Sequence, residues 1–586
     1  MKSKSQSSIA AIGGALFIAF AASQTAYAAT LTWDPADTGN GTTIDPGDGI
    51  WSLSAGNLWN NAGTNEAWTQ TSATSPLHSS VFAGADGTYA IIVGEAVATQ
   101  NLTFSNSGYT LSAASALNLR AAPASGNGII SVASGKSATI GTNVSVVRVG
   151  AGTISGGGIL NITGTGATVR IAAGGNSMTV SGSTVNVGAG GTFSCTSSMI
   201  VGNNATAAAV NVNGGNVTVT GEVATGVLVI ANTTAAGSAV FTLTSGAVLN
   251  NSISGGLRFG STSANTASST FHLDGGILTV ARVFEGEAGH TSTFNLNGGT
   301  IKTRTGTTTA ATFMEGIDTV NVRNGGVIFD TNGVDTTVGQ ALAHSAIGGD
   351  NANDGGLTKD GPGTLSLTGA NTYTGITKVN AGTLAVNGSS INNSNRLTID
   401  GGQVQLTGAE TVGTLYFGAT QQAAGTWGSS SSSAVAPFID DARFTGSGTL
   451  IVTSGTGGSG YTAWQSANGT TQAADLDHDN DGVPNGVEHF LGGVADTTGF
   501  TTPLPGVDNN LGTLSVTWIR HPDFAGFPGN YGTAFVVETS ATLANPWTPA
   551  VEGIGEDKVE ITGNNVKYTF PAGTRNFARL KVVVIP

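Results

Sequence analysis

The chain has 586 residues, including 89 Gly and 15 Pro; only 10% are charged, and the formal net charge is −14 at pH 7. Nucleic acids require a basic surface, so this acidic, charge-poor composition argues against a nucleic-acid partner. Disorder requires low hydrophobicity and high charge, whereas 39% of these residues are hydrophobic, so the glycines are expected to punctuate short strands. The single cysteine, Cys195, excludes an intramolecular disulfide, and its alternating surroundings predict a buried core position.

The N-terminus, residues 1–28, has the organisation of a secretory signal. Lys2 and Lys4 precede an apolar run from Ile9 to Ala22, and Ala26-Tyr27-Ala28 supplies a small-residue cleavage site. The apolar run is too short to span a bilayer stably. We therefore expect a secreted or cell-surface protein, outer membrane-associated or extracellular, with no membrane span after signal removal.

Residues 29–100 are expected to form an N-terminal cap and the first coils of a longer repeat structure. They contain Trp33, Trp51, Trp59 and Trp68, which is half of the tryptophans in the chain. An open end of a stacked-strand structure exposes a sheet edge, so these rings are interpreted as a cap. A platform that stacks on sugars is the alternative.

Residues 101–455 repeat one pattern, in which short alternating apolar runs flank Asn or Asp and a Gly-Gly pair. Val210–Val219, Phe271–Val280 and Phe294–Ile301 are three copies. Alternation places the apolar side chains on one face of each strand, and Asn/Asp-Gly supplies a tight corner. A coil of this length buries its apolar face only by stacking on its neighbours, which predicts a right-handed parallel β-helix. Hairpin meanders or a propeller are the alternatives, although a propeller would need aromatic blade signatures that are missing here.

Residues 355–386 carry the most specific motif of the repeat region. They read Gly-Gly-Leu-Thr-Lys-Asp-Gly-Pro-Gly-Thr-Leu-Ser-Leu-Thr-Gly-Ala-Asn-Thr-Tyr-Thr-Gly-Ile-Thr-Lys-Val-Asn-Ala-Gly-Thr-Leu-Ala-Val. This segment resembles the autotransporter-associated β-strand repeat, also called the passenger-associated transport repeat. The resemblance implies a β-helical passenger on an exported surface protein. An autotransporter ends in a membrane β-barrel, whereas the residues after 460 carry other motifs, so self-transport is not expected.

Residues 456–499 are expected to form a linker with a calcium-binding loop, because they contain the pattern D-x-D-x-D-G-x5-E. Calcium prefers six to eight oxygen ligands, and the spacing directs alternate side chains inward. The predicted ligands are Asp477, Asp479, Asp481, the backbone carbonyl of Val483, Asn485 and Glu488. The loop resembles the lone calcium loops of dockerins and thrombospondin type 3 repeats, which implies a structural Ca²⁺. A solvated acidic linker is the alternative.

Residues 500–586 alternate again between apolar and polar positions, with turns rich in Pro and Gly. Leu514–Trp518, Ala534–Glu538, Val566–Phe570 and Phe577–Val583 are predicted strands of a small β-sandwich. The role of this C-terminal domain is left open between attachment, sorting and sugar binding.

Catalytic chemistry has one weak candidate in the sequence. Asp274, Arg282, Glu285, Glu287 and His290 lie close together, and a carboxylate pair at Glu285 and Glu287 is conceivable. No lyase or hydrolase motif accompanies them, so a solvated loop is the preferred interpretation and no enzyme is predicted. We expect a structural or adhesive surface rod whose partners are cell-surface or matrix components, with polysaccharide among them. A polysaccharide-binding or lyase-type β-helix protein is the alternative.

Overall fold

The computed structural model describes residues 28–582 apart from short gaps, and the predicted signal peptide lies outside the described residues except for Ala28. The gaps are residues 37–40, 57, 72–76, 122–127, 149, 172–175, 221–225, 233–236, 261–265, 287–288, 307–311, 389, 392–393, 436–437, 456–471, 474, 479–482, 493–504, 511, 522–530, 544 and 574–575.

Two large sheets build the part of the chain between residues 30 and 454. The first sheet has 18 described strands: Thr30–Trp33, Trp59–Asn61, Thr64–Glu66, Ser79–Phe82, Leu102–Phe104, Gly128–Val132, Gly152–Ser155, Met178–Val180, Met199–Val201, Val227–Ile230, Gly256–Phe259, Val283–Glu285, Met314–Glu315, Thr336–Val338, Thr364–Leu367, Thr383–Val386, Gln403–Leu406 and Phe444–Thr445.

The second sheet has 27 described strands: Gly49–Trp51, Tyr89–Val93, Val97–Thr99, Tyr109–Ser112, Leu117–Ala121, Ser137–Ile140, Val144–Arg148, Ile159–Ile162, Thr168–Ile171, Thr184–Gly188, Thr192–Cys195, Ala208–Val219, Ser238–Asn250, Ser268–Leu273, Ile277–Val280, Thr291–Leu296, Thr300–Thr303, Thr319–Val322, Val327–Asp330, Ala343–His344, Leu357–Asp360, Thr377–Val379, Arg396–Ile399, Ala409–Phe417, Thr420–Gln421, Gly425–Trp427 and Thr449–Ser454.

Successive coils stack in register, so that each strand pairs in parallel with the equivalent strand one coil away. In the second sheet, Phe271 pairs with Phe294, and Phe294 pairs with Val320. The long strands Ala208–Val219 and Ser238–Asn250 turn a corner and join two ladders of that sheet. The β-helix therefore has three ladders of stacked strands. We call the first sheet the first ladder. Within the second sheet, the column of strands that contains Phe271 is the second ladder, and the column that contains Val217 is the third ladder. The predicted parallel β-helix is confirmed, and its right-handed sense stays a prediction.

Alternate residues of these strands point inward and form one continuous core from Leu31 to Val452. Side chains stack between coils, as in the Phe241–Phe271 pair, whose ring centroids lie 4.9 Å apart. Cys195 is fully buried, as its alternating pattern predicts. Each coil therefore buries its apolar face against its neighbours, as the repeat period requires.

The Gly-Gly corners serve two different physical needs. Gly298 has φ +108°, a backbone conformation that a side chain disfavours. Gly325, in the next coil, instead lacks room, because an added Cβ would lie 2.5 Å from the carbonyl carbon of Asn297. The predicted positive φ thus occurs at both corners, at Gly298 in the first and at Gly326 (φ +66°) in the second, and close coil packing additionally explains Gly325.

Antiparallel strands lie at both ends of the helix. Near the N-terminus, Trp59–Asn61 pairs antiparallel with Thr30–Trp33, and near the other end Gly425–Trp427 pairs antiparallel with Thr449–Ser454. The four N-terminal tryptophans, Trp33, Trp51, Trp59 and Trp68, are at most 1% exposed and pack on one another. Their burial favours the cap over a sugar-stacking platform.

The C-terminal part contains one helix and two smaller sheets. Helix α1 is Asn485–Leu491, and Gly492 ends it in the left-handed conformation, with φ 81°. The sheets comprise Gly506–Asn510, Thr513–Ile519, Val551–Glu552, Lys558–Thr562 and Asn565–Thr569, and Phe535–Ser540, Thr548–Pro549 and Phe577–Val582. Val516, Phe535 and Tyr568 share one core with Phe490 of α1. The helix that forms the end of the predicted calcium loop is therefore part of the C-terminal core, and the sandwich arrangement stays a prediction.

Candidate functional sites

The motif at residues 355–386 places a lysine inside the β-helix. Lys359 is fully buried, and its Nζ donates to the carbonyls of Asp360, Gly361 and Ala381 at 3.0, 2.7 and 2.9 Å. Burial lowers the pKa of Lys359 to about 8, although Asp360 and Asp330 oppose the shift. Because Ala381 belongs to the following coil, the ammonium group joins two coils at a corner where backbone carbonyls converge.

Two buried carboxylates complement this lysine by accepting backbone N–H groups. Asp354 Oδ1 accepts from the N–H groups of Gly356 and Gly375, both at 2.9 Å. Glu410 is fully buried and accepts from the N–H groups of Gly388, Ser390 and Ile391 at 2.7, 3.0 and 3.1 Å. Acceptors of this kind satisfy corner N–H groups that are buried between coils.

Two further motif residues, Asn371 and Tyr373, are also committed to packing. Asn371 Oδ1 accepts from the N–H of Leu342, and its Nδ2 donates to the carbonyl of Ser390 at 2.9 Å. Tyr373 is 1% exposed, and its hydroxyl lies 2.8 Å from Thr377 Oγ1. The residues of the motif thus connect a coil to the coils before and after it, a role that their sequence pattern alone did not reveal.

Glu285 does not lie in a solvated loop, and that expectation was wrong. It ends the strand Val283–Glu285 with its side chain only 11% exposed, and Ser292 Oγ donates to its Oε2 at 2.8 Å. Ser292 Oγ also accepts from the N–H of Asp318 at 2.9 Å, and His290 Nδ1 lies 3.8 Å from Glu285 Oε1. Ser292 Oγ therefore bridges the carboxylate of Glu285 and the backbone of the next coil, and the three groups together form a clip at this corner.

The other members of that weak cluster have different partners. Arg282 lies over the ring of Phe284, with 3.8 Å from its Cζ to the ring centroid. Asp274 Oδ1 accepts from Asn297 Nδ2 at 3.2 Å. Glu287 lies outside the described residues. Among the described members, Glu285 and His290 lie near each other, whereas Arg282 and Asp274 have separate partners.

The predicted calcium loop is described in part. Asp477, Val483, Asn485 and Glu488 are placed, while Asp479 and Asp481 lie outside the described residues. Asn485 Oδ1 accepts from the N–H of His478 at 3.2 Å, and Nδ2 donates to the carbonyl of Ala473 at 3.2 Å. The amide of Asn485 thus folds the preceding turn back onto the start of α1.

The donor set of this loop consists of carboxylate, amide and carbonyl oxygens, which suits a hard cation such as Ca²⁺. Glu488 follows on α1 and is 1% exposed. Asn485 keeps a second lone pair on Oδ1 beside the bond from His478. Within the described part of the chain, His, Cys, Asp and Glu do not come together in a group of three suited to a metal ion. The six-ligand set therefore stays a prediction.

The C-terminal module contains a buried carboxylate with two basic partners. Glu538 is 6% exposed, and its Oε2 accepts from Arg579 at 3.0 and 2.6 Å while its Oε1 accepts from Lys581 at 3.2 Å. Burial alone would raise the pKa of Glu538, but these bonds lower it below its ordinary value. Arg579 also lies over the ring of Trp547, 4.3 Å from its centroid. The cluster fixes the strand Phe577–Val582 against Phe535–Ser540.

The comparison with protein families gave one match. The family described as Passenger-associated-transport-repeat matches residues 357–386, which contain Lys359 and Tyr373. No curated protein and no solved structure matches the chain. No helix among the described residues is both long and apolar enough to cross a membrane. The chain therefore contains one repeat of the kind found in autotransporter passengers, which supports a secreted or cell-surface location.

Proposed function

We propose that this chain is an exported surface rod with a structural or adhesive role. The observation that carries the proposal is the passenger-associated repeat at residues 357–386, which forms part of one continuous β-helical core. The buried clip at Lys359 favours a structural use of this segment, because its hydrogen bonds go to backbone carbonyls of the same and the following coil. Glu410 forms a similar clip just beyond the segment, by accepting from backbone N–H groups of the preceding coil. Partners at the cell surface or in the extracellular matrix follow from that location.

The experiment for this role is surface labelling of intact source cells, combined with deletion of the coding sequence. We expect an antibody against the β-helix to label intact cells, external protease to remove the label, and deletion to reduce attachment to a solid or polysaccharide-coated surface. An interior location, or normal attachment and envelope integrity in the deletion strain, would contradict the proposal. Cleavage of a uronic-acid polymer that Glu285→Gln abolishes would favour the lyase alternative instead.

We further propose that Asp477, Asp479, Asp481, Val483, Asn485 and Glu488 hold a structural Ca²⁺. Helix α1 supports the proposal, because it carries Asn485 and Glu488 on the turn and Phe490 in the C-terminal core. A bound ion would offset the mutual repulsion of the carboxylates and fix the turn to that core. The affinity expected for such a lone extracellular loop is about 10⁻⁴ to 10⁻³ M.

A further inference from the structure

An uninterrupted row of asparagine side chains runs along the outer face of the second ladder. Asn186 Nδ2 donates to Asn161 Oδ1 at 2.9 Å, and Asn211 Nδ2 donates to Asn186 Oδ1 at 2.9 Å. Each pair is separated by 25 residues, which is one coil. We call these three residues the amide row. All three side chains are half-buried on strands whose neighbouring residues point into the core.

Hydroxyl groups continue the amide row at both ends. Thr139 pairs with Asn161 in the ladder, and Asn211 pairs with Thr242. Both threonines are also half-buried and point outward. Five successive coils therefore present one polar, uncharged group each, at the strand spacing of about 4.8 Å.

The hydrogen bonds within the row leave defined donors and acceptors for a ligand. An asparagine amide has two N–H donors and two acceptor lone pairs, and the bonds along the row use one of each at Asn186. The remaining N–H and lone pair are held in a fixed orientation, so a ligand would not have to order them. Repeating hydroxyl groups, which both donate and accept, match such a row.

The surrounding segment is almost without charge. Between residues 137 and 257 the sequence contains only Arg148, Arg170 and Glu222 as charged residues. Arg148 is fully buried, Arg170 lies on the third ladder, and Glu222 lies outside the described residues. An acidic polymer would find no cation on the row, and the chain as a whole has a net charge of −14.

Apolar groups lie beside the row. The neighbouring outward column of the same strands includes Ile159, which is 40% exposed, followed in register by Thr184, Ala209 and Val240. Small apolar groups next to fixed amides suit a sugar ring, which has a C–H face and hydroxyl edges. We infer that the amide row, with Thr139 and Thr242, binds a neutral polysaccharide that lies along the rod axis. This inference deepens the proposed surface function and rests on it.

The test is affinity electrophoresis and calorimetry of the whole mature chain with purified polysaccharides. The probes are a β-1,3-glucan, a β-mannan and dextran as neutral polymers, and alginate as an acidic one. We expect at least one neutral polymer to bind saturably and alginate not to bind. Asn186→Val, which removes the central amide, should weaken binding by about tenfold, because about two hydrogen bonds to the ligand are lost.

Two matched variants separate recognition from folding. Asn186→Thr has the same branched shape as Asn186→Val but keeps a hydroxyl, so its affinity should stay within about threefold of the native value. Thr179→Val makes the corresponding hydroxyl-to-methyl change on an outward, half-buried position of the first ladder and should leave binding unchanged. Circular dichroism and thermal unfolding of each variant check the fold.

The inference is wrong if no neutral polymer binds, if Asn186→Val binds like the native chain, or if Thr179→Val weakens binding equally. Sedimentation of the free protein tests a second copy of the chain as the occupant. Self-association that Asn186→Val abolishes, without polysaccharide binding, would overturn the inference in favour of that occupant. Because the assay uses purified protein, its failure together with surface labelling of intact cells and reduced attachment of the deletion strain would leave the proposed function intact.

Discussion

Replacement of Lys359 by methionine tests whether the passenger-associated repeat is held by its buried ammonium group. Methionine keeps most of the aliphatic stem but removes the donor to three carbonyls. The carbonyl of Asp360 keeps a bond from the N–H of Thr331, so the loss falls mainly on Gly361 and Ala381. A buried polar group left unsatisfied costs about 1–3 kcal/mol, so Lys359→Met should lower the local unfolding free energy by about 2–5 kcal/mol at pH 7.

The same lysine predicts a pH dependence with a definite sign. Burial lowers the pKa of Lys359 from 10.5 to about 8. Between these values the unfolded chain holds more protons than the folded chain, so stability rises as the pH increases from about 8 to about 10.5. The methionine variant lacks this contribution. The difference in local stability between the native chain and Lys359→Met should therefore grow across that window, by about 3 kcal/mol at most.

Hydrogen exchange measured by mass spectrometry provides the assay, because coils of a solenoid open locally. The strands Leu357–Asp360 and Thr383–Val386 should lose protection in Lys359→Met, and the distant strand Tyr109–Ser112 of the same molecule is the internal control. Protection is compared at pH 7.5 and 9.5 after correction for the intrinsic exchange rate. Equal protection of the two proteins, or a difference that shrinks at the higher pH, would refute the role assigned to Lys359.

Three further predictions follow from the corners and the C-terminal loop. Glu410→Gln should destabilise its coil by about 1–3 kcal/mol in denaturant unfolding, since one acceptor oxygen becomes an NH₂ group facing backbone N–H donors; unchanged stability would contradict this. Gly325→Ala should destabilise its corner through the clash with Asn297, whereas Gly298→Asn should cost less, because an added Cβ at Gly298 would lie 3.8 Å from its nearest neighbours; thermal melts that rank them the other way would be incompatible with the geometry. Glu488→Gln should weaken the Ca²⁺-dependent heat in calorimetry of the mature chain, whereas Asp508→Asn, an exposed strand position, should not; absence of that heat in the native chain would reduce the loop to an acidic linker.

The sequence predicted the β-helix because side-chain alternation and corner glycines are local signals that the coil geometry enforces. Phe271, Phe294 and Val320 pair in register as their spacing in the chain suggests. The passenger-associated repeat was recognisable from its residue pattern over 355–386, and the family match covers most of it.

Properties that depend on contacts between coils could not be predicted in the same way. Lys359 and Glu410 are charged residue types that normally lie at the protein surface, and only the stacking of coils shows that both are fully buried. Arg148 is a further case, because its guanidinium lies in the core without a hydrogen-bond partner among the described residues, and nothing in the sequence signals this. Glu285 was assigned to a solvated loop because no catalytic motif accompanies it, whereas its hydrogen-bond partner Ser292 lies on the following strand.

The near absence of charge between residues 137 and 257 has a consequence for the salinity that the rod tolerates. The coils of this segment are held by backbone pairing, by apolar contacts and by hydrogen bonds between side-chain amides, and dissolved salt screens none of these interactions. Exposed ion pairs elsewhere, such as Lys136–Asp86 at 2.7 Å, weaken as ionic strength rises. The middle of the rod should therefore lose no cohesion to ionic screening between fresh water and brine.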